Sequence, residues 1–200
     1  MQKLNLKLMH SSFKSSLLST TKVFFRYTLL TLFALVTLSS CKSLQDTSLA
    51  PGRKAPQLEL YDLNGNTASL DAYLGKPLLI NFLASWCKPC ADEMPELEEF
   101  YQTYGDRVQV VAIGVEDDDA ALREFQKKHK VTFPFLHDRT GNSKVRYRIG
   151  GYPETFLLDK EGKIQFVADP EGKEQFSLKY VGPRKWMSES VRSSILSISK

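Results

Sequence analysis

The sequence predicts one α/β domain, because strand-like and helix-like segments alternate along most of the chain. Two nearly continuous apolar runs, Pro77–Leu83 and Val108–Val115, are typical of strands that are buried on both faces. Each run is followed by a segment in which apolar residues recur at helical spacing. The resulting β-α-β-α order, with a hairpin and a terminal helix after it, indicates an α/β fold.

The other elements follow from local signals. The first strand is expected at Gln57–Leu63, and the Asn64-Gly65 turn that follows it predicts a small hairpin. Helices are expected at Pro89–Tyr104 and, behind an N-cap at Asp117 to Asp119, at Ala120–Lys130. The closing elements are strands Thr155–Leu158 and Lys163–Val167, joined by the turn Asp159–Gly162, and a helix over Pro183–Ile198.

The charge distribution separates the first forty residues from the rest. They carry five basic residues and no acidic one, whereas the remainder has 22 basic and 23 acidic residues. The whole chain has a formal charge of +4, but the remainder alone has about −1. A nucleic-acid partner is therefore not expected, because phosphate binding needs clustered Lys and Arg in the folded part.

The first forty residues have the layout of a secretory signal peptide. Tyr27–Leu38 is an uncharged apolar run of twelve residues, with basic residues before it and the small residues Ser39 and Ser40 after it. The run is shorter than the ~20 residues that span a bilayer as a helix. An uncleaved N-terminal anchor and a start at Met9 remain open alternatives.

The residues Leu38-Ser39-Ser40-Cys41 resemble the lipobox of bacterial lipoproteins, in which the cysteine receives diacylglycerol. The resemblance implies a signal peptide over residues 1–40, a lipidated Cys41 with a tether over residues 41–52, and a folded domain over residues 53–200. Lipidation would explain the odd number of three cysteines and would anchor the protein to a membrane through two or three acyl chains. The alternative is an ordinary signal peptide with a chance cysteine.

The other two cysteines lie in Trp86-Cys87-Lys88-Pro89-Cys90, between the first buried strand and the first long helix. Two cysteines three positions apart at a helix start can close a disulfide, and the helix N-terminus stabilises the thiolate of the first one. Cys87 is therefore the predicted nucleophile, and the more buried Cys90 resolves the mixed disulfide. Such a redox-active disulfide needs no cofactor.

Other roles are possible for a cysteine pair. A static, structural disulfide is one alternative. A zinc site would need two more ligands, and His129 and His137 form no close-spaced pair, so no metal site is expected. A peroxidatic cysteine is expected to have Thr or Ser three residues before it, where this chain has Ala84.

Three segments together resemble thioredoxin-fold proteins of the TlpA/ResA/DsbE group: Leu79–Cys90, Glu93–Glu96 and Gly151–Phe156. They follow that group's pattern in order and spacing, and the resemblance covers residues from about 51 to about 190. It implies a thioredoxin-like fold, with a central mixed sheet flanked by helices and an N-terminal β-hairpin extension.

The resemblance also implies a substrate groove beside the cysteine pair. Pro153 would be a cis-proline that faces the pair, and Tyr152 would present backbone groups to a bound client strand. Trp86, Lys88 and Pro89 would contribute to the same groove.

The same resemblance implies that Glu93 is an acid that moves protons during exchange. The alternative is a solvated glutamate that complements the helix dipole. Asn81 stands where thioredoxin has a buried aspartate, which shifts an acid-base role toward Glu93. Leu83 departs from the aromatic residue common at its position, and Glu154 is similar to a glutamate beside the proline in DsbE-like proteins.

For the whole chain, the resemblance implies a membrane-anchored reductase of the bacterial cell envelope. Its partners would be envelope client proteins with disulfides or thiols, such as apocytochrome c, together with a thiol-reducing membrane electron donor and the lipid bilayer. One alternative is a thioredoxin-fold binding lipoprotein with a structural disulfide. Another is a Sco-type carrier, which would need a CxxxC spacing and a suitably placed histidine. The sequence leaves the direction of electron flow open.

Overall fold

The computed structural model describes residues 49–169 and 176–198, which form a mixed β-sheet with helices packed on it. In this part of the chain, the main sheet has seven strands in the order β2-β1-β5-β4-β3-β6-β9, and β7 pairs separately with β8. The strands are β1 (Leu60–Asp62), β2 (Thr67–Ala68), β3 (Leu78–Leu83), β4 (Gln109–Val115), β5 (Phe135–Asp138), β6 (Glu154–Leu158), β7 (Val167–Ala168), β8 (Phe176–Ser177) and β9 (Tyr180–Val181).

The helices differ in length and in how they begin. They are α1 (Lys88–Tyr104), α2 (Asp119–Lys128), α3 (Asn142–Arg146) and α4 (Glu189–Ser197), with a 3-10 helix at Leu70–Tyr73. The predicted N-cap of α2 is confirmed at Asp118, whose Oδ1 accepts a hydrogen bond from Ala121 N at 2.7 Å.

The strand register brings the cysteine motif and the Tyr152-Pro153 dipeptide to the same end of the sheet. Strands β3, β4 and β5 run parallel, and β6 runs antiparallel to β3. Phe82, near the end of β3, pairs with Glu154 at the start of β6. The residues that follow β3 and those that precede β6 therefore lie at the same end of the sheet.

The two central strands, β3 and β4, separate two apolar layers and are buried along their whole length. Leu79 and Leu83 face the layer that contains the apolar residues of α1, α2 and α4. Ile80 and Phe82 face the other layer, which contains residues of the 3-10 helix and Tyr147. This alternation explains why both predicted runs are apolar at nearly every position.

Most predicted elements are present, including the hairpin, which pairs β1 with β2 around the Asn64-Gly65 turn. The predicted start of the last helix is wrong. It begins at Glu189 rather than Pro183, because the preceding residues form an irregular segment in which Arg184 N and Trp186 Nε1 donate hydrogen bonds to Glu93.

The strand predicted at Lys163–Val167 is also wrong in extent. Lys163 and Ile164 form only isolated bridges, and the chain then leaves the sheet edge to form β7 and β8. The β9 strand takes over the pairing with the first residues of β6. Strand β5 and helix α3 have no counterpart among the predicted elements.

The folded domain begins before residue 53. Leu49 is buried in the second apolar layer, and Gly52 N donates a hydrogen bond to Ile164 O at 2.8 Å. The predicted signal peptide, Cys41 and residues 42–48 of the predicted tether lie outside the described residues. Within residues 49–169 and 176–198, none of the helices has the length and hydrophobicity needed to cross a bilayer.

Candidate active site

The cysteine pair lies where β3 passes into α1. Cys87 is the N-cap residue of α1, and its Sγ accepts a hydrogen bond from Cys90 N at 3.2 Å. A disulfide joins the two residues, whose Cα atoms are 5.3 Å apart. Pro89 lies in the first turn of the helix, where its missing N–H costs no helical hydrogen bond. On reduction, the Cys87 sulfur would lie at the positive end of the helix, which favours its thiolate.

The two cysteines differ in exposure, as predicted. Cys87 is 5% exposed, whereas Cys90 is fully buried. The turn that carries Cys87 is tied to the end of β4, because the Asp117 carboxylate accepts hydrogen bonds from the Ser85 hydroxyl and, at 2.9 Å, from Ser85 N. Asp117 therefore fixes the backbone of the turn that leads into Cys87.

The loop before β6 forms a wall of a groove beside Cys87. The Tyr152–Pro153 peptide bond is cis, as the resemblance implied. The rings of Trp86 and Tyr152 meet edge to face, with centroids 5.9 Å apart. With Cys87 and Pro89, they line a groove of about 430 Å³, and 66% of Trp86 is exposed. We name this the cis-proline groove.

The cis-proline groove has a polar end formed by Glu116 and Lys144. Lys144 Nζ donates to Glu116 Oε1 at 2.6 Å, and the Tyr152 hydroxyl donates to Glu116 Oε2 at 3.3 Å. The hydrogen bond from Lys144 lowers the pKa of Glu116, whereas burial and the Glu116 charge raise the pKa of Tyr152. Tyr152 therefore stays a protonated hydrogen-bond donor at neutral pH.

A second groove, of about 440 Å³, lies between Cys87 and α2. It is lined by polar and charged residues that include Lys88, Asp92 and His129. Lys88 Nζ lies 2.8 Å from Asp92 Oδ1, and both side chains are exposed. Burial and the charge of Lys128 lower the pKa of His129. The positive charge of Lys88 is therefore partly compensated by Asp92, close to Cys87.

Glu93, the acid expected near the cysteines, is buried and not solvated. It is 3% exposed. Asn81 Nδ2 donates to its Oε1 at 2.8 Å, and Arg184 N and Trp186 Nε1 each donate to its Oε2 at 3.2 Å. Because Glu93 follows Cys90 by three positions on α1, the two residues share one face of the helix. The alternative of a solvated glutamate at the helix start is wrong.

This environment changes the acidity of Glu93. Burial raises its pKa to about 7, although its hydrogen bonds and the positive charge of Arg184 act in the opposite direction. A carboxyl group with such a pKa changes protonation near neutral pH, where a general acid or base is most effective. Glu93 can therefore take up and release a proton on the helix face that carries Cys90.

Two members of this network were not recognisable from the sequence. Arg184 and Trp186 lie 91 and 93 positions after Glu93, so no local spacing connects them with the cysteine motif. The one local signal is Gly182-Pro183, a dipeptide that marks irregular structure and argues against a helix over the residues that follow.

Two other residues singled out in the sequence make contacts of their own. Glu154 is buried beside the cis bond, forms an ion pair with Lys179, and accepts a hydrogen bond from Gly150 N at 3.2 Å. His137 Nδ1 lies 2.6 Å from Asp119 Oδ1. In the described ranges, no group of three or more His, Cys, Asp or Glu residues is arranged to hold a metal ion.

Comparison with known proteins assigns the chain to a family. A family model described as AhpC/TSA matches residues 51–167, which is more than half of the chain. The chain belongs to the AhpC/TSA family. The match spans both cysteines and the cis-proline loop, so it covers the site as well as the sheet.

Curated relatives of this AhpC/TSA protein carry redox names. It is 37% identical over 128 residues to the thioredoxin-like protein YneN of Bacillus subtilis, an alignment that covers 62% of this chain and 75% of YneN. It is 36% identical over 124 residues to the thiol-disulfide oxidoreductase ResA of Geobacillus kaustophilus, with 62% of this chain and 71% of ResA covered.

Solved structures share the fold of this AhpC/TSA protein. A Chlorobium tepidum protein provisionally named thiol:disulfide interchange protein DsbE matches with a TM-score of 0.64 and 27% identity, covering 76% of this chain and 100% of that one. StoA from Bacillus subtilis matches with a TM-score of 0.50 and 26% identity, covering 65% and 90%. The predicted thioredoxin-like fold and the enzyme class, thiol-disulfide oxidoreductase, are both confirmed.

Proposed function

We propose that this protein reduces disulfides in client proteins of the bacterial cell envelope while its N-terminus holds it on a membrane. The observation that carries the exchange step is the disulfide between Cys87, the N-cap of α1, and the buried Cys90. The pair itself carries the electrons, so the reaction needs no further cofactor.

The first step forms a mixed disulfide. The thiolate of Cys87 in the reduced protein attacks one sulfur of a client disulfide. A bond forms between Cys87 and that sulfur, and the client's other sulfur leaves as a thiolate, which takes a proton from solvent. Stabilisation of the Cys87 thiolate by the N-terminus of α1 favours this step at neutral pH.

The second step releases the client. The Cys90 thiol gives its proton to the Glu93 carboxylate, and its sulfur attacks Cys87. The Cys87–Cys90 disulfide forms, and the client's second sulfur leaves with the bonding electron pair and is then protonated. Two electrons have passed from the protein to the client. The raised pKa of Glu93, about 7, supports its role as the proton acceptor and donor.

The cis-proline groove is the proposed client site. The exposed indole of Trp86 offers apolar surface next to Cys87, and the backbone at Tyr152 offers a place for an extended client segment. The cis bond to the buried Pro153 sets the course of that backbone. Lys88 and Pro89 line the same groove. A client strand placed there would bring its disulfide to Cys87 without entering the core.

The location is proposed from the N-terminal sequence. The apolar run at Tyr27–Leu38 and the lipobox-like residues ending in Cys41 support export and lipidation. A thiol-reducing donor at the membrane would return the Cys87–Cys90 pair to the dithiol. Apocytochrome c is a candidate client, because its haem-binding CxxCH cysteines must be reduced before haem attachment.

Electron transfer to a client tests the exchange step. Full-length protein is reduced, freed of reductant and mixed with a disulfide-bonded CxxCH peptide. We expect one peptide disulfide to be reduced for each molecule that forms the Cys87–Cys90 disulfide, and none with the Cys87→Ser variant. A binding lipoprotein with a structural disulfide predicts no peptide reduction by either protein.

Membrane fractionation tests the anchor. We expect the Cys41→Ser variant to leave the membrane fraction or to keep its signal peptide, whereas the neighbouring Ser43→Ala variant stays lipidated. Retention of metabolically incorporated radioactive palmitate by Cys41→Ser would contradict lipidation at this cysteine.

A further inference from the structure

Asp169 and Arg184 form a buried ion pair beside the segment that covers Glu93. The exposed fractions of the two side chains are 4% and 6%. Arg184 Nε donates to Asp169 Oδ1 at 2.9 Å, and Arg184 Nη2 donates to Oδ2, so the guanidinium grips the carboxylate at both oxygens. A buried ion pair is a weak source of stability, because desolvation offsets much of the attraction. Its position suggests another role.

The pair connects two parts of the chain. Asp169 directly follows β7, whereas Arg184 belongs to Pro183–Trp186, the irregular segment between β9 and α4. Arg184 Nη1 also donates to Pro183 O at 2.8 Å and to Gly182 O at 3.3 Å. One guanidinium therefore holds Asp169 and fixes the local backbone of its own segment.

The same segment contacts Glu93 through one backbone and one side-chain donor. Arg184 N and Trp186 Nε1 donate to the same carboxylate oxygen of Glu93, so the segment supplies two of its three hydrogen bonds from described residues. Trp186 is fully buried and packs edge to face on Tyr180, with ring centroids 5.5 Å apart. Pro183–Trp186 thus forms a cover over Glu93, and the Arg184 guanidinium joins this cover to Asp169.

We propose that the Asp169–Arg184 pair is a latch that holds Pro183–Trp186 over Glu93 and keeps water from its carboxyl group. Asp169 and Arg184 are positioning residues in this proposal, because they act through Glu93 and do not touch a client or the sulfur atoms. The inference rests on the proposed role of Glu93 in exchange and adds the means by which the fold maintains that residue's environment.

The latch and the charge of Arg184 predict opposite changes in the pKa of Glu93 when Arg184 is replaced. Among the described residues, Arg184 is the charged group that acts on Glu93, and its positive charge lowers the pKa of Glu93. The other partners, Asn81 and Trp186, are neutral. Cys90 is the titratable neighbour on α1, and it is disulfide-bonded in the oxidised protein. If only the charge mattered, removing Arg184 would raise the pKa of Glu93 further.

Opening the latch should instead lower the pKa of Glu93, because burial is the largest cause of its raised value. In Arg184→Gln, the segment Pro183–Trp186 loses its ion pair with Asp169. In Asp169→Ala, the guanidinium becomes an uncompensated buried charge and is driven toward water. Either variant admits water to Glu93, so the pKa of Glu93 should fall in both.

The experiment is a titration of the Glu93 carboxyl in the oxidised full-length protein, followed by carbon-13 NMR and assigned with Glu93→Gln. We expect the pKa to fall from about 7 toward its ordinary value of 4.5 in both Arg184→Gln and Asp169→Ala. A rise in Arg184→Gln, or no change in either variant, would overturn the proposal.

Tryptophan fluorescence provides a second readout. The chain has two tryptophans, so a Trp86→Phe background isolates the emission of buried Trp186. We expect a red shift and greater quenching by acrylamide when either latch residue is replaced. Arg139→Gln is the matched control. It removes an arginine that donates a hydrogen bond to Asp119 at 2.5 Å, elsewhere in the fold. It should change neither the emission of Trp186 nor the pKa of Glu93.

A conservative variant keeps the test decisive if the latch variants fold poorly. Arg184→Lys retains the charge but not the two-point grip, so we expect a smaller fall in the pKa of Glu93. A pKa equal to that of the unmodified protein would contradict the latch. If Glu93→Gln leaves exchange unaffected, the proposed catalytic role fails but the titration still reports on the latch. If Glu93→Gln slows exchange while the latch variants leave the pKa unmoved, only the latch fails.

Discussion

The two sides of the cysteine pair are built differently. On the outer side, Cys87 opens to a groove formed with Trp86 and Tyr152, and 66% of Trp86 is exposed. On the inner side, α1 carries Cys90 and Glu93 into a fully packed region, where Glu93 is 3% exposed and hydrogen-bonded on both carboxylate oxygens. One side is suited to binding varied clients, the other to controlling a proton.

The difference also concerns where the residues come from. Trp86 and Cys87 are neighbours in the sequence, whereas the partners of Glu93 come from β3 and from the segment before α4. A short motif can therefore indicate electron transfer, but the network of hydrogen bonds around Glu93 forms only after folding. Substitutions on the two sides should change different steps of the reaction.

The largest effect is expected from Cys90→Ala. Removal of the resolving thiol leaves the first step intact but prevents release, so a covalent Cys87–client adduct should accumulate and turnover should cease. Non-reducing electrophoresis and mass spectrometry after mixing with a disulfide-bonded peptide measure this. Cys87→Ala should form no adduct. An equal amount of adduct from Cys87→Ala would reverse the assigned roles.

Glu93→Gln should slow the second step, in which Cys90 displaces the client from Cys87. Loss of the proton acceptor should reduce the rate of client release by about 10²-fold near neutral pH, the usual scale for a general base. The rate should also lose its dependence on a group with a pKa of about 7. Stopped-flow measurements between pH 5 and pH 9 check both points, with Glu96→Gln as a control on the same helix. An unchanged profile would remove Glu93 from the mechanism.

The same substitution should change how stability depends on pH. The pKa of Glu93 is raised from 4.5 to about 7 in the fold, so the folded state binds more protons than the unfolded chain in that window. The stabilising contribution is complete below about pH 4.5 and is lost as pH rises through about 7. The stability of the unmodified protein relative to Glu93→Gln should therefore fall by about 3 kcal/mol across the window.

Urea unfolding of both proteins at several pH values measures this difference. Carboxyl groups whose pKa is lowered, such as Asp119 and Asp138, give the opposite slope. They are present in both proteins and cancel in the comparison. A relative stability that stays constant from pH 4 to pH 8 would show that Glu93 is not a buried, perturbed carboxyl group.

Trp86→Ala should weaken the binding of clients in the cis-proline groove and leave the chemistry of the cysteine pair unchanged. Loss of the exposed indole should raise the KM for a peptide client about tenfold, which corresponds to about 1.4 kcal/mol of binding. The rate of reduction by dithiothreitol, which is too small to use the groove, should be nearly unchanged. If dithiothreitol and the peptide are affected equally, Trp86 supports the fold of the active-site turn rather than client binding.

His137→Gln should have the smallest effect on exchange. His137 is buried against Asp119, with Nδ1 and Oδ1 2.6 Å apart, and lies on β5. We expect a loss of stability of about 1 kcal/mol from the lost hydrogen bond, and an exchange rate within about twofold of the unmodified protein. A Sco-type carrier instead predicts that this substitution abolishes function.

The sequence predicted the parts of the molecule that depend on local pattern. Strands β3 and β4 were recognisable because burial on both faces makes nearly every residue apolar, and Cys87 at the start of α1 followed from the CxxC spacing. Strand β5 has only four residues and includes His137 and Asp138, so it lacks the pattern of a buried strand.

The parts that could not be predicted depend on long-range contacts. The late start of α4 reflects the hydrogen bonds that Arg184 N and Trp186 Nε1 make with Glu93, which no local propensity encodes. The same contacts exclude the solvated alternative for Glu93. A glutamate early in a helix is ordinary in sequence, and only the fold makes it a buried acid.

The most direct test of the account is a redox titration of the full-length protein in dithiothreitol and glutathione buffers, with protein thiols counted at each potential. The account predicts a reversible two-electron transition of the Cys87–Cys90 pair, at a potential more negative than about −220 mV, as expected for a reductase. A transition near about −120 mV would make the protein an oxidant. A disulfide that is reduced only when the protein unfolds would contradict thiol-disulfide exchange altogether.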